Sequence, residues 1–135
     1  MGQPAAVRGD RIVGTCTTGH LVPSASGTAP APPQQFSAPV EQGLAGTVLI
    51  HGAPAAVAGA TGHNDAPHAG LCDARSTPTA QVATIVSGSA TVCFDGRAAA
   101  HGASPTTICY GPGQRLQASA DDVLIGGAGV VEGSK

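Results

Sequence analysis

The chain has 135 residues, of which 20 are Gly, 11 Pro and 14 charged, with a formal charge of −2 and three aromatic side chains. That length suits one small domain rather than two, and a near-neutral balance without a basic run excludes the electrostatic footprint of nucleic-acid or anionic-membrane binding. Val, Leu, Ile and Phe total only 25, so backbone pairing, a metal or a partner is expected to supplement a thin core.

Internal self-similarity organises the sequence. Pro4-Ala5-Ala6-Val7-Arg8-Gly9-Asp10 comes first. The loop over residues 11–46 follows, and its stretch 21–42 carries Pro23, Pro30, Pro32, Pro33 and Pro39 among small polar residues. This composition predicts an extended, polyproline-like insertion that folding does not need. Thr47-Val48-Leu49-Ile50-His51-Gly52 then reads as a short strand ending in a turn, and Pro54-Ala55-Ala56-Val57-Ala58-Gly59-Ala60 repeats the first motif. A second loop, 61–90, contains a β-like run at 81–86. Thr91-Val92-Cys93-Phe94-Asp95-Gly96 is the next strand, followed by a degraded third copy, Ala98-Ala99-Ala100-His101-Gly102-Ala103, that lacks the proline and reads as one residue short. A third loop, 104–121, holds the turn Gly111-Pro112-Gly113. Asp122-Val123-Leu124-Ile125-Gly126-Gly127 closes the series before a short tail, 128–135.

Each strand is short, rich in β-branched residues and stopped by glycine, which supplies positive φ without steric cost. Helical periodicity is absent throughout, so an all-β domain of three strand–turn–strand–loop units with irregular loops is predicted. No run approaches the roughly 18–20 apolar residues of a transmembrane helix. No signal-peptide apolar stretch follows Met1, so synthesis in the cytoplasm without a signal peptide is expected.

Four Cys and five His in such a chain point to metal before disulfides. The loops offer Cys16 and His20, then His63, His68 and Cys72, then Cys109. Cys16 and Cys109 each stand seven residues beyond a motif glycine, Gly9 and Gly102, and so read as equivalent positions. Cys72 and Cys93 read as small buried hydrophobes, and His51 as an exposed hairpin tip. No His-Glu-x-x-His spacing occurs and the carboxylates are dispersed, so no enzyme is predicted.

The three Pro-Ala-Ala-type motifs, the strands that precede them and the His or Cys in each loop resemble the PAAR-repeat proteins, which cap the spike of type VI secretion systems and related contractile injection machines. The resemblance spans nearly the whole chain. It implies a small cone with pseudo-threefold internal symmetry and a structural zinc at the vertex, bound by three His and one Cys. On this chain that set becomes His20, His63, His68 and Cys109, with Cys16 standing in if His20 points outward and His101 a further candidate. The implied function is a tip that sharpens a trimeric β-helical spike, one cap per trimer, aiding membrane puncture and effector attachment. Such a cap is a monomer in isolation, meets the target membrane only during puncture and leaves the cell as part of the apparatus. Its docking edges would be the strands at 47–50, 91–94 and 123–125. A small zinc hydrolase with an open metal position and a self-assembling β-rich adhesin are the alternatives.

Overall fold

The computed structural model describes residues 2–17, 19–66, 68, 70–77 and 80–126. Gly127 and the predicted tail lie outside them. No α-helix occurs among the described residues. The strands are β1 (Gly2–Ala5), β2 (Arg11–Cys16), β3 (Leu21–Ser24), β4 (Gly27–Pro30), β5 (Gln34–Pro39), β6 (Leu49–Ile50), β7 (Ala53–Pro54), β8 (Thr61–His63), β9 (Val82–Ile85), β10 (Cys93–Phe94), β11 (Arg97–Ala98), β12 (Thr106–Ile108), β13 (Gly111–Pro112), β14 (Arg115–Gln117) and β15 (Ala120–Gly126). The protein is therefore all-β, as its composition and breaker residues require.

Two minimal hairpins share one register. In β6–β7, Leu49 faces Pro54 and Ile50 faces Ala53; in β10–β11, Cys93 faces Ala98 and Phe94 faces Arg97. Their turns, His51-Gly52 and Asp95-Gly96, have φ of 53° and 81°, and of 53° and 79°. Two successive positive φ values match the right-handed twist of the flanking strands, which is why a glycine closes each turn. The third hairpin is assembled from the two ends of the chain, with Leu124 of β15 opposite Pro4 of β1 and Ile125 opposite Gln3.

Each hairpin runs into an alanine pair, and the pairs close a ring. Ala6 N donates to Ala100 O (3.2 Å), Ala100 N to Ala56 O (3.0 Å) and Ala56 N to Ala6 O (2.9 Å). The bridges Ala5–His101, Val7–Ala55 and Val57–Ala99 follow the same cyclic order. Ala5, Ala6, Ala55, Ala56, Ala99 and Ala100 are all buried, and their methyl side chains leave room for three chain segments to converge. Adjacent alanines serve different clusters: Ala6, Ala56 and Ala100 pack with Ile12, Phe36 and Ile108, and Ala5, Ala55 and Ala99 with Val57, Ile50 and Ile125.

The ring also corrects the reading of the third motif. Arg8 N donates to Pro54 O, Ala58 N to Ala98 O and Gly102 N to Pro4 O, so Gly102 occupies the place of Arg8, not of Gly9. No residue is missing. Matching turns bond Asp10 N to Val7 O, Ala60 N to Val57 O and Ser104 N to His101 O.

The Pro-rich stretch 21–42 differs from the expected dispensable loop. Strands β3 and β4 do form a hairpin that, among the described residues, pairs with no other strand. Strand β5, however, pairs with all six residues of β2, and Phe36, Ala38 and Val40 are buried in the core. Burying Phe36 alone stabilises by roughly 1.5–3 kcal/mol. This segment mirrors the run at 81–86: Val40 bonds Gly9 N and Asp10 O as Ile85 bonds Gly59 N and Ala60 O. Proline is tolerated because Pro30, Pro32 and Pro33 precede β5 and Pro39 ends it, on the edge of the sheet β14-β2-β5. Beside it Gly62 of β8 approaches so closely that a Cβ would collide with the Pro39 carbonyl oxygen.

Candidate metal centre

Strand β2 alternates partly buried and buried residues, putting Ile12, Gly14 and Cys16 on the inner face. Beyond it the chain doubles back through Gly19, whose φ is 87° and where a Cβ would collide with the Tyr110 ring. That turn delivers His20 to the same side as Cys16, with 4% of its surface exposed. Cys109 lies in the turn after β12. Counted from the matched residues Asp10 and Ser104, Cys16 is the sixth residue and Cys109 the fifth, so the two are not equivalent. On a regular strand they would face opposite ways, but Cys109 takes φ 39° and leaves strand geometry. His68 comes from the second loop.

The ligand atoms of Cys16, His20, His68 and Cys109 all lie within 4.8 Å of one another, and this group could hold a metal ion. The Nε2 atoms of His20 and His68 are buried with no hydrogen-bond partner, a costly state for a polar atom unless something else binds it. The two imidazoles meet edge to face, with centroids 5.1 Å apart.

The opposite edge of the His20 ring is held by a carboxylate. Asp73 accepts from His20 Nδ1 at 3.1 Å, and its carboxylate also accepts from Leu21 N, Arg75 N and the Tyr110 hydroxyl, each at 2.8 Å. Burial alone would raise the Asp73 pKa, but these donors prevail and hold it well below the usual carboxylate range. A proton fixed on Nδ1 leaves the Nε2 lone pair of His20 facing the two sulfurs. His68 Nδ1 lies 3.2 Å from Asn64 Nδ2, whose two protons go to Ala66 O and Gln81 Oε1 at 2.6 Å, while Asn64 Oδ1 accepts from Ser37 N and Ala66 N; the Asn64 amide thus packs beside His68 without setting its tautomer. The neighbouring sulfurs shift each other in opposite directions, the Cys109 thiol lowering the Cys16 pKa and Cys16 raising that of Cys109.

Three of the four ligands expected from sequence thus meet, His20, His68 and Cys109, and the fourth member is Cys16. His63 falls on β8 between buried Gly62 and buried Asn64, so alternation turns it to the other face. His101 lies on the alanine ring, buried, with Nδ1 accepting from Ala103 N at 3.1 Å. Cys72 and Cys93, expected to be buried, are exposed. His51 is exposed at its hairpin tip, where Nε2 meets Asp122 at 2.6 Å. Sequence reasoning passed over Asp73 and Asn64, since no spacing marks a residue that touches a ligand rather than the metal. The phase of Ile12, Gly14 and Cys16 was the available signal for the fourth ligand.

No protein-family model, curated protein or solved structure matches this chain.

Proposed function

We propose that the protein is a zinc-stabilised tip of the PAAR-repeat type, seated on a trimeric β-helical spike of a contractile injection system. The observation that carries this reading is the chemistry of three matched positions. Leu49, Cys93 and Leu124 each lie opposite the residue just before an alanine pair of the ring, Pro54, Ala98 and Pro4 respectively. All three are solvent-exposed, the leucines at 61% and 62%. Three similar apolar positions in cyclic order suit a partner with threefold symmetry, without the cap being a trimer.

The three two-stranded hairpins have outer edges paired with no further strand among the described residues. Such edges favour extension of the spike's own strands by backbone hydrogen bonding. The hairpins are also tied to one another, Asp95 bonding Thr47 and His51 meeting Asp122, which supports a rigid base. On this reading the cap forms in the cytoplasm, leaves with the apparatus and carries effectors on its lateral surfaces.

Zinc is the ion proposed for the cluster. Tetrahedral zinc with bonds of roughly 2.0–2.3 Å sets its ligands about 3.3–3.8 Å apart, inside the 4.8 Å that bounds the separations of these four ligand atoms. Zinc would tie together the three loops around a core of few large side chains. Two Cys and two His fill a tetrahedron, leaving no open position for the water a hydrolase needs, which disfavours the enzyme reading.

Mixing the chain with a trimeric β-helical spike and weighing the complex by light scattering tests the proposal. One chain per three spike chains is expected, lost on Leu49→Glu with Leu124→Glu. A stable homotrimer of the isolated chain, or spike binding indifferent to both substitutions, refutes it.

A further inference from the structure

We propose that Cys16 and Cys109 form a peroxide-reactive pair that exchanges the metal for a disulfide. The inference rests on the metal-centre reading and adds a modification site to it. Two features point there. A cavity of about 180 Å³ is lined by Cys16 together with Thr15, Thr17, Tyr110 and Gln114. A water molecule's share of the liquid is about 30 Å³, so hydrogen peroxide fits easily, among hydroxyl and amide groups that can bond it. The second sulfur, of Cys109, lies within 4.8 Å of the first and is carried by a partly exposed turn rather than a paired strand residue. Other Cys residues cannot substitute, since neither Cys72 nor Cys93 belongs to the cluster.

A metal-bound sulfur is a thiolate and therefore a nucleophile. Cys16 sulfur attacks one peroxide oxygen; an S–O bond forms, the O–O bond breaks, and the departing hydroxide takes a proton to become water. Cys109 sulfur then attacks the Cys16 sulfenic acid; the S–S bond forms, the S–O bond breaks, and the second hydroxide leaves as water. The two sulfurs lose two electrons, hydrogen peroxide is reduced to two waters with two protons from solvent, and the metal departs because its two strongest ligands are gone. The sulfurs must close to roughly 2.05 Å. The disulfide would then hold the first and third loops together in place of the metal, so the oxidised protein keeps its fold outside a reducing compartment.

The test uses the full chain with Cys72→Ser and Cys93→Ser, which removes the two exposed thiols that would react in competition. Protein loaded with Zn²⁺ is treated with equimolar hydrogen peroxide. Expected are a mass loss of two hydrogens, one cross-linked peptide pair containing Cys16 and Cys109, one zinc released per disulfide, and recovery on adding dithiol and zinc. Thr17→Trp, crowding the cavity, should slow oxidation several-fold at unchanged zinc affinity. Zinc retained under peroxide, or Cys16 driven to sulfinic acid without a cross-link, overturns the inference while leaving the metal centre intact. A disulfide formed in protein that never binds zinc leaves the sulfur pair standing and defeats the metal reading instead.

Discussion

Replacing Asp73 by Asn changes a single buried atom pair and should separate ligand positioning from folding. In the wild type one carboxylate oxygen accepts from Leu21 N and the other from Arg75 N and the Tyr110 hydroxyl, while His20 Nδ1 lies 3.1 and 3.2 Å from the two. An amide can satisfy only one side. If its NH₂ faces Leu21, that backbone N–H loses its acceptor, and His20 Nδ1 exchanges a charged acceptor for one neutral amide oxygen 3.2 Å away, already shared with Arg75 N and the Tyr110 hydroxyl. The His20 ring is then held more weakly with its Nε2 toward the metal position. If the NH₂ faces Arg75 instead, the Arg75 N–H is orphaned. Either arrangement costs about 1–3 kcal/mol for the buried unsatisfied donor. Metal affinity should fall by about 10- to 100-fold, the usual effect of losing a partner of a metal-bound histidine, which is about 1.4–2.8 kcal/mol. Tyr110→Phe removes one donor to Asp73 without touching His20, and it should leave affinity nearly unchanged. Chelator competition measures affinity, and thermal unfolding with and without chelator separates the metal-dependent part. Because the folded Asp73 pKa is depressed, its stabilisation is complete above the unfolded value of about 3.9 and is lost as pH falls through the folded value. The stability gap between wild type and Asp73→Asn should therefore narrow in acid. Zinc affinity equal to wild type in Asp73→Asn, with only the chelated form destabilised, refutes the positioning argument.

Cys16→Ser should lower zinc retention and melting temperature together, because metal binding free energy is also folding free energy, whereas His63→Ala should leave zinc content, read by elemental analysis, at one per chain. His101→Val, copying Val7 and Val57, removes a buried Nε2 without a partner together with the acceptor of Ala103 N, so the net gain in denaturant unfolding should fall below the roughly 1–3 kcal/mol of relieving the orphaned atom alone. Burial lowers the His101 pKa, so the wild type should lose stability as pH falls below about 6.5 toward the folded value, and the variant should lose less. Deleting 22–29 should leave a folded domain by circular dichroism, because that hairpin pairs with no other strand, but a deletion joining Leu21 to Gly43 should not fold, since it removes β5. Gly62→Ala should cost about 1–3 kcal/mol through overpacking against the Pro39 carbonyl, read as a lowered midpoint in urea.

Local chemistry decided what the sequence could tell by itself. Glycine closing a short run that opens on Thr-Val stops a strand and starts a turn, so the hairpins at His51-Gly52 and Asp95-Gly96 were legible before any contact was known. Repetition of Pro-Ala-Ala exposed the units, and four Cys and five His in a chain with few large apolar residues marked candidate metal ligands. Tertiary structure decided everything that depends on phase and on distant neighbours. The third motif could be aligned only through the hydrogen bonds of Gly102, because one shifted glycine looks like a deletion in sequence. Strand β5 was hidden by prolines whose placement at its ends and on a sheet edge removes their penalty, a fact about position in the sheet rather than composition. Cys16, not His63, joins the candidate metal cluster because two strands present alternate residues to one interior, and a one-residue change of phase exchanges inside for outside. Asp73 entered through a loop 53 residues from His20, where only the fold brings a carboxylate and an imidazole together and burial then gives their hydrogen bond its strength.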